Sequence, residues 1–194
     1  RTRSAISGEA LIRASPPVVT PYRGTPASGN SIHQTYHLAR FESLAGVKVE
    51  DLTDVIEFGG GYGALRARFE RAGYDGEYLI YDTPEFSLLQ RWYLSNLGIP
   101  TGYRPLDEQM RFAVPPRGAS LFAFYSLSEV DENLRNAFFH LCAPARAFIA
   151  SQDAYLEPLR PAFERFARQF KDYEWEFQDI EHLPGHFYLY GELK

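Results

Sequence analysis

The sequence predicts an α/β three-layer sandwich, Rossmann-like, around a seven-stranded, mostly parallel sheet whose last strand is antiparallel. Three observations predict it. Five short apolar runs alternate with helical stretches between Asp54 and Phe170, the pattern of a parallel sheet covered on both faces. A glycine-rich turn sits directly between the first of these strands and the helix that follows it. Two aromatic strands near the end, Tyr173–Phe177 and Phe187–Leu193, have no helix between them. Such neighbours pair antiparallel, because a parallel crossover takes a dozen or more residues.

Taken in order, residues 1–30 are rich in Ser, Thr, Pro and Gly and read as an extended or disordered arm, since Pro16, Pro17, Pro21 and Pro26 break any helix. Residues 31–194 then form a single domain that opens on a helix over 31–45. Ile32, Tyr36 and Ala39, with Leu38 or Phe41, lie on one face of that helix, and Asn30 or Ser31 is its expected cap. Asp54–Phe58 is the first strand, and Tyr62–Ala72 is a helix with Leu65 and Phe69 inward, stopped by Gly73. Tyr78–Tyr81 is a strand ending in Asp82. Pro84 opens the next helix, which Gly98 and Pro100 close after Leu97. A weak strand around Thr101–Arg104, a strand at Ser120–Tyr125, a helix at Val130–Leu141, a strand at Ala145–Ala150 and an amphipathic helix at Leu156–Phe170 complete the series.

Composition narrows the function. The 194 residues suit one compact domain. A formal charge of −5 argues against a nucleic-acid substrate, which calls for a basic face. The lone Cys142 excludes an internal disulfide or a multi-cysteine metal site, and its apolar setting reads as a small buried hydrophobe. No stretch approaches the roughly 20 apolar residues of a membrane span, and no secretory signal is visible, so the cytoplasm is the expected location. The chain begins at Arg1 and not at Met, as a trimmed or partial chain would.

The segment Glu57-Phe58-Gly59-Gly60-Gly61-Tyr62-Gly63 has the strand–turn–helix context that separates a cofactor loop from a chance run of glycines. Its glycines fall at 59, 61 and 63, in the pattern E-x-G-x-G-x-G, and not in the G-x-G-x-x-G of a dinucleotide fold. A carboxylate at Glu57 would repel a pyrophosphate, but it suits a ligand that carries an ammonium and a sulfonium. Asp82 ends the second strand, where an acid accepts both ribose hydroxyls. Together Glu57 and Asp82 fit S-adenosylmethionine better than NAD.

These motifs resemble the class I S-adenosylmethionine-dependent methyltransferases over Asp54 to Lys194. More narrowly, four stretches look like the bacterial sugar O-methyltransferases of polysaccharide and glycan clusters: Val55–Gly63, Ile80–Gln90, Tyr125–Glu129 and Pro184–Leu189. The resemblance implies that Gly59, Gly61 and Gly63 pack against the cofactor, with Glu57 near its methionine end. It implies that Asp82 holds the ribose, with Thr83 beside the adenosine, and that Tyr125 and Ser126 face the methyl group. The position that reads adenine in many relatives falls near Asp107, in a poorly defined stretch. The acceptor implied is a sugar hydroxyl of a glycan or glycosylated small molecule. A phenol or amine acceptor, or a binding module without turnover, are the competing readings.

A hydroxyl acceptor needs a proton acceptor, and three residues are candidates. Glu129 lies beyond the fourth strand, either as a base or as a helix cap with Ser128 or Asp131. His186 follows Pro184-Gly185, either as a base or as a satisfied loop or core histidine. His37 shares a helix face with His33 and Arg40, either as a lid over the site or as a solvent-facing stripe. His182 is expected in solvent. A His33–His37 metal pair lacks a third ligand in the sequence, so no metal is expected. Trp92, Tyr93, Trp175, Tyr188 and Tyr190 either stack on sugar rings or pack the core.

Overall fold

The computed structural model describes residues 19–22, 25–107, 113–153 and 158–194. Two short strands, β1 (Val19–Tyr22) and β2 (Thr25–Ser28), pair antiparallel and lead straight into α1 (Gly29–Ala45). Then come β3 (Asp54–Phe58), α2 (Ala64–Ala72), β4 (Glu77–Asp82), α3 (Pro84–Asn96), β5 (Gly102–Pro105) and β6 (Ser120–Phe124). The chain closes with α4 (Glu132–Cys142), β7 (Arg146–Gln152), α5 (Leu159–Gln169), β8 (Tyr173–Asp179) and β9 (His186–Leu193). A single turn of 3-10 helix spans Val49–Asp51.

The large sheet has the order β5-β4-β3-β6-β7-β9-β8. Its first five strands are parallel, and β9 runs antiparallel to both of its neighbours, β7 and β8. The predicted three-layer sandwich with an antiparallel last strand is therefore the observed fold. The order of connection reverses between β3 and β6. In open α/β sheets that reversal opens a crevice at the carboxyl ends of the strands.

Alternation along the strands builds two cores. Val55, Tyr78, Ile80, Phe122, Phe148 and Tyr188 face α1, α2 and α3, where Phe41, Phe69 and Leu94 complete the packing. Ile56, Leu79, Leu121, Ile149 and Leu189 face α4 and α5, where Phe138, Phe139 and Phe163 meet them. Both faces are covered, as a mostly parallel sheet requires. Cys142 is fully buried in the second core, and burial pushes its thiol up to about 12, so it behaves as the small hydrophobe expected of it. None of the described helices is long and apolar enough to cross a membrane.

Several local expectations change. The cap of α1 is Ser28, whose hydroxyl accepts from the Ser31 backbone N–H at 3.1 Å; neither Asn30 nor Ser31 fills that role, because β2 delivers the chain to the helix two residues earlier. The inward face of α1 is His37, Leu38 and Phe41, while Ala39 is exposed. Within the N-terminal arm, the prolines at 21 and 26 sit opposite one another in the β1–β2 ladder. Pro16 and Pro17 lie outside the described residues, as do positions 154–157, which include the expected start of the last helix at Leu156.

The cap of α4 is Asp131, whose carboxylate accepts from the Leu134 N–H at 3.0 Å. Glu129 is exposed two residues upstream and lies outside the helix. Replacing Asp131 by Ala is expected to cost about 1 kcal/mol, and Glu129→Ala less than about 0.5 kcal/mol. Urea denaturation of the two variants checks this ordering.

Candidate functional site

The carboxyl ends of β3, β4 and β6 meet beneath α1 and the start of α3. Glu57, the last-but-one residue of β3, is buried at 4% exposure. Its carboxyl group accepts a 2.8 Å hydrogen bond from the Tyr78 hydroxyl. Burial is the main cause that raises its pKa to about 8, and nearby Asp82 adds to the rise; Tyr78 and, more weakly, Arg66 oppose it. Arg66 reaches the same network from below, its guanidinium lying over the Tyr78 ring at 5.2 Å.

Asp82 is the anchor of the glycine turn. Its Oδ1 accepts from the Thr83 N–H at 2.8 Å, and its Oδ2 accepts from the Gly61 N–H at 3.1 Å and from Gln90 Nε2 at 2.7 Å. Gln90 Nε2 also donates to the Gly61 carbonyl at 2.9 Å. Burial raises the Asp82 pKa, and these hydrogen bonds oppose the rise. Gln90 Oε1 is buried with no partner among the described residues. A Gln on the stripe Ser87, Gln90, Leu94 that α3 turns inward is the signal that would have found this residue.

The glycines divide their work. A Cβ on Gly59 would sit 2.1 Å from Ser126 Cβ, at a φ of +75°, so this glycine makes room for the β6 loop. A Cβ on Gly63, at φ +96°, would press 3.0 Å from the Leu94 side chain, so this glycine lets Leu94 pack at the start of α2. A Cβ on Gly61, at φ +55°, would meet nothing within 4 Å, so of these three glycines it is the one with open space beside its Cα. The resemblance implied three cofactor-facing glycines; Gly61 is the one with open space beside it.

At the end of β6 the backbone is strained. Tyr125 has φ +66°, a left-handed conformation that costs a non-glycine residue roughly 1–2 kcal/mol. Its neighbours hold it there. The Tyr125 N–H donates to the Ala150 carbonyl at 2.8 Å, and the Ser126 hydroxyl donates to the Phe58 carbonyl. The Ser128 hydroxyl donates to the Tyr125 carbonyl at 2.6 Å. The Tyr125 hydroxyl itself is buried with no partner among the described residues, and burial raises its pKa. Strain of this kind collects at binding and reaction sites.

Four histidines gather around this loop. His37 is buried at 1% exposure; its Nδ1 and the Tyr188 hydroxyl share a 2.5 Å hydrogen bond, and its ring packs 4.4 Å from Phe124. Burial drives its pKa down to about 3, so it is a neutral anchor and a poor proton acceptor. His33 stacks against it at 4.7 Å and approaches His182, Nε2 to Nε2, at 3.4 Å. His182 is exposed as expected, yet it also packs edge-on against Tyr36 at 4.5 Å. His186 lies 5.5 Å from the Tyr125 ring, and its Nδ1 is buried without a partner among the described residues. Arg40, on the same helix as His37, donates to Gln178 of β8. The helix face singled out in the sequence is thus a cover packed on β8 and β9 and not a solvent stripe.

Other expected residues do not converge. Glu129 is exposed, tied to the loop by its backbone N–H on the Ser126 carbonyl at 3.0 Å. Trp92 projects into solvent at 61% exposure, Tyr93, Tyr188 and Tyr190 belong to one core, and Trp175 packs against the other. They form no common ring-stacking surface. Asp107 follows β5, next to Leu106, whose N–H donates to the Asp82 carbonyl at 2.8 Å, which places Asp107 on the same edge of the sheet. Among the described residues no group of three or more His, Cys, Asp or Glu side chains is placed to hold a metal ion.

No protein-family model matches the sequence, and no curated protein does. Solved structures do. The methyltransferase domain of bacterial CtHen1 superposes with a TM-score of 0.60 at 14% identity, covering 84% of this chain and 99% of that one. A SAM-dependent methyltransferase from Aquifex aeolicus gives 0.60 at 13% identity, over 86% and 100% of the two chains. An O-methyltransferase family protein from Burkholderia thailandensis gives 0.58 at 15% identity, over 85% of this chain and 58% of that one. The chain therefore has the class I methyltransferase fold.

Two outcomes follow from this geometry. Gly59→Ala is expected to destabilise the fold by about 3 kcal/mol, from overlap with Ser126 plus the positive φ, and Gly61→Ala by only about 1 kcal/mol; denaturant melts of both variants check it. Glu57 keeps its proton in the folded chain up to a pH of about 8, against about 4.5 when free. The folded state then binds more protons than the unfolded state across that window, so stability falls as pH rises through it. In Glu57→Gln this part of the pH dependence is expected to vanish, measured as urea midpoints at pH 5.5 and pH 8.

Proposed function

We propose that this chain is an S-adenosylmethionine-dependent methyltransferase that methylates a sugar hydroxyl. The observation that carries the cofactor reading is the pair of buried acids, Glu57 and Asp82, flanking a turn whose Gly61 is open. The residues fit the group. Asp82 is held rigidly by three donors and keeps one acceptor position for a ribose hydroxyl. Thr83 begins the adenosine side, with Asp107 on the same edge. Glu57, protonated when alone, ionises to meet an ammonium group, which replaces the solvation that burial removed. The strained Tyr125–Ser126 corner completes the wall nearest the reacting carbon. The solved structures of like fold are named as methyltransferases, which supports the same reading.

When bound, S-adenosylmethionine supplies an electrophilic methyl group. The chain's own task is to align the acceptor, exclude water and remove one proton. His186 suits proton removal best among the three candidates: its Nδ1 is unpartnered beside Tyr125, whereas Glu129 is in solvent and His37 is a weak base. In that role the His186 imidazole would take up the proton that the acceptor hydroxyl gives up as it is methylated. His37 then serves as a positioning residue, fixing Tyr188 and the α1 cover. The sugar hydroxyl rests on the four stretches that resemble the sugar O-methyltransferases, of which Tyr125–Glu129 and Pro184–Leu189 frame this corner.

Calorimetry with S-adenosylhomocysteine tests the cofactor site: Asp82→Ala is expected to weaken binding at least tenfold, about 1.4 kcal/mol, and unchanged affinity removes Asp82 from the ribose role. His186→Ala is expected to lower kcat by about 10²-fold or more while S-adenosylhomocysteine affinity stays within about twofold. Transfer of labelled methyl to a panel of sugars, phenols and amines tests the acceptor. Labelling of phenols or amines alone contradicts the sugar reading, and tight cofactor binding with no labelled product points to a module without turnover.

A further inference from the structure

Away from the carboxyl edge, α1 and α2 enclose a cavity of about 400 Å³. Its apolar walls include Leu38 and Val49, and its charged rim is made of Arg68, Arg71 and Glu42. The two arginines are one helical turn apart on α2, so their side chains share a face. Their surroundings are unusual for cations. Arg68 Nε is buried with no hydrogen-bond partner among the described residues. The groups that face Arg68 are Arg71 on its own helix and the phenols of Tyr93 and Tyr62, none of them a carboxylate. Burial and the like charge of Arg71 both lower the Arg68 pKa, the sign of a cation left uncompensated.

Glu42 does not compensate it. Its Oε2 is engaged by Lys48 Nζ at 2.9 Å and its Oε1 by the Val49 backbone N–H at 3.1 Å. Its charge is thus spoken for on the far side of the cavity. Several other arginines of the chain do meet a carboxylate: Arg66 with Glu70, Arg146 with Glu192, and Arg160 with both Asp153 and Asp179. Arg68 and Arg71 have no such partner among the described residues.

We propose that this cavity is a second ligand site, in which the Arg68 and Arg71 guanidinium groups bind the phosphoryl group of a small organic phosphate. Two guanidinium forks present more N–H donors than one carboxylate can accept, and they match the several oxygens and double charge of a phosphomonoester. The volume exceeds what a bare phosphate fills and lies in the range of small-molecule pockets, with Leu38 and Val49 as walls for the carbon skeleton. None of the lining residues belongs to the glycine turn or is one of its acids, so the site is separate from the carboxyl edge. The site stands independently of the methyltransferase reading.

The test is calorimetric titration of the full chain at constant ionic strength with three probes: inorganic phosphate, a hexose 6-phosphate and malonate. Saturable binding of the hexose phosphate at one site is expected, with affinity lowered at least tenfold in Arg71→Gln and again in Arg68→Gln, and partly kept in Arg68→Lys. Arg71 is exposed, so Arg71→Gln keeps the fold, and an unchanged melting temperature is the control for Arg68→Gln. Tighter binding of the hexose phosphate than of inorganic phosphate assigns an organic ligand; equal binding assigns the free ion and overturns the organic part of the proposal. Malonate binding as tightly as either phosphate, no saturable binding by any probe, or equal affinity in the variants overturns the phosphoryl site. S-adenosylhomocysteine affinity is expected to be the same in Arg71→Gln and the native chain, which separates failure here from failure at the carboxyl edge.

Discussion

Two carboxyl groups buried at the ends of adjacent parallel strands are the constraint on which the rest of the site depends. Burying a carboxylate without partners costs several kcal/mol, so Glu57 and Asp82 must each be compensated by structure or by a ligand. Asp82 is compensated by structure: three donors, from the glycine turn, the start of α3 and the Gln90 side chain, converge on it. Those same bonds tie β4, the turn and α3 into one rigid corner. Glu57 has a single hydrogen-bond donor, Tyr78, and the balance is struck by keeping its proton up to about 8. On the proposed reading, Asp82 is the acceptor for a ribose and Glu57 the acid that an ammonium group would ionise.

The fold places this corner at a topological reversal. Because β3 lies between β4 and β6, the chain leaves β3 and β6 in opposite directions, the arrangement in which open α/β sheets form a crevice at their carboxyl edge. Two close approaches narrow it: Gly59 lets Ser126 in, and Ser126 in turn holds Tyr125 in its left-handed conformation through the Phe58 carbonyl. The antiparallel β9 then brings His186 and Tyr188 to the same edge. Tyr188 clamps His37 and with it the α1 cover. Strain in one loop and burial of one histidine thus build one preformed wall at the carboxyl edge.

Much of this was legible in the sequence. β3 and β4 announced themselves as apolar runs ending in Glu57-Phe58 and Asp82, and the helix after Pro84 was bounded by its own proline and glycine. The seven strands and the antiparallel end followed from the alternation of elements and from the aromatic pair, whereas the strand order came only with the structure. What escaped the sequence depends on pairing between strands or on distance along the chain. Tyr78 meets Glu57 only because β3 and β4 align Val55 with Tyr78, and Gln90 meets Asp82 only because α3 folds back over the turn. His37 reads as part of a polar stripe until Tyr188, 151 residues away, supplies its partner. The aromatic set failed as a ring platform because alternation along β8 and β9 sends Trp175 to one core and Tyr188 and Tyr190 to the other. The room that Gly59 leaves for Ser126 was likewise out of reach, because it depends on the pairing of β3 with β6.

The central claim is that the buried acid Glu57 ionises to receive the ammonium of S-adenosylmethionine. The most direct measurement is the number of protons exchanged when S-adenosylhomocysteine binds at pH 7, from calorimetry in buffers of different ionisation enthalpy. The account predicts release of close to one proton, with affinity rising between pH 6 and pH 8, and no release in Glu57→Gln. Binding with no proton exchange, or binding of NAD in place of S-adenosylhomocysteine, would contradict it.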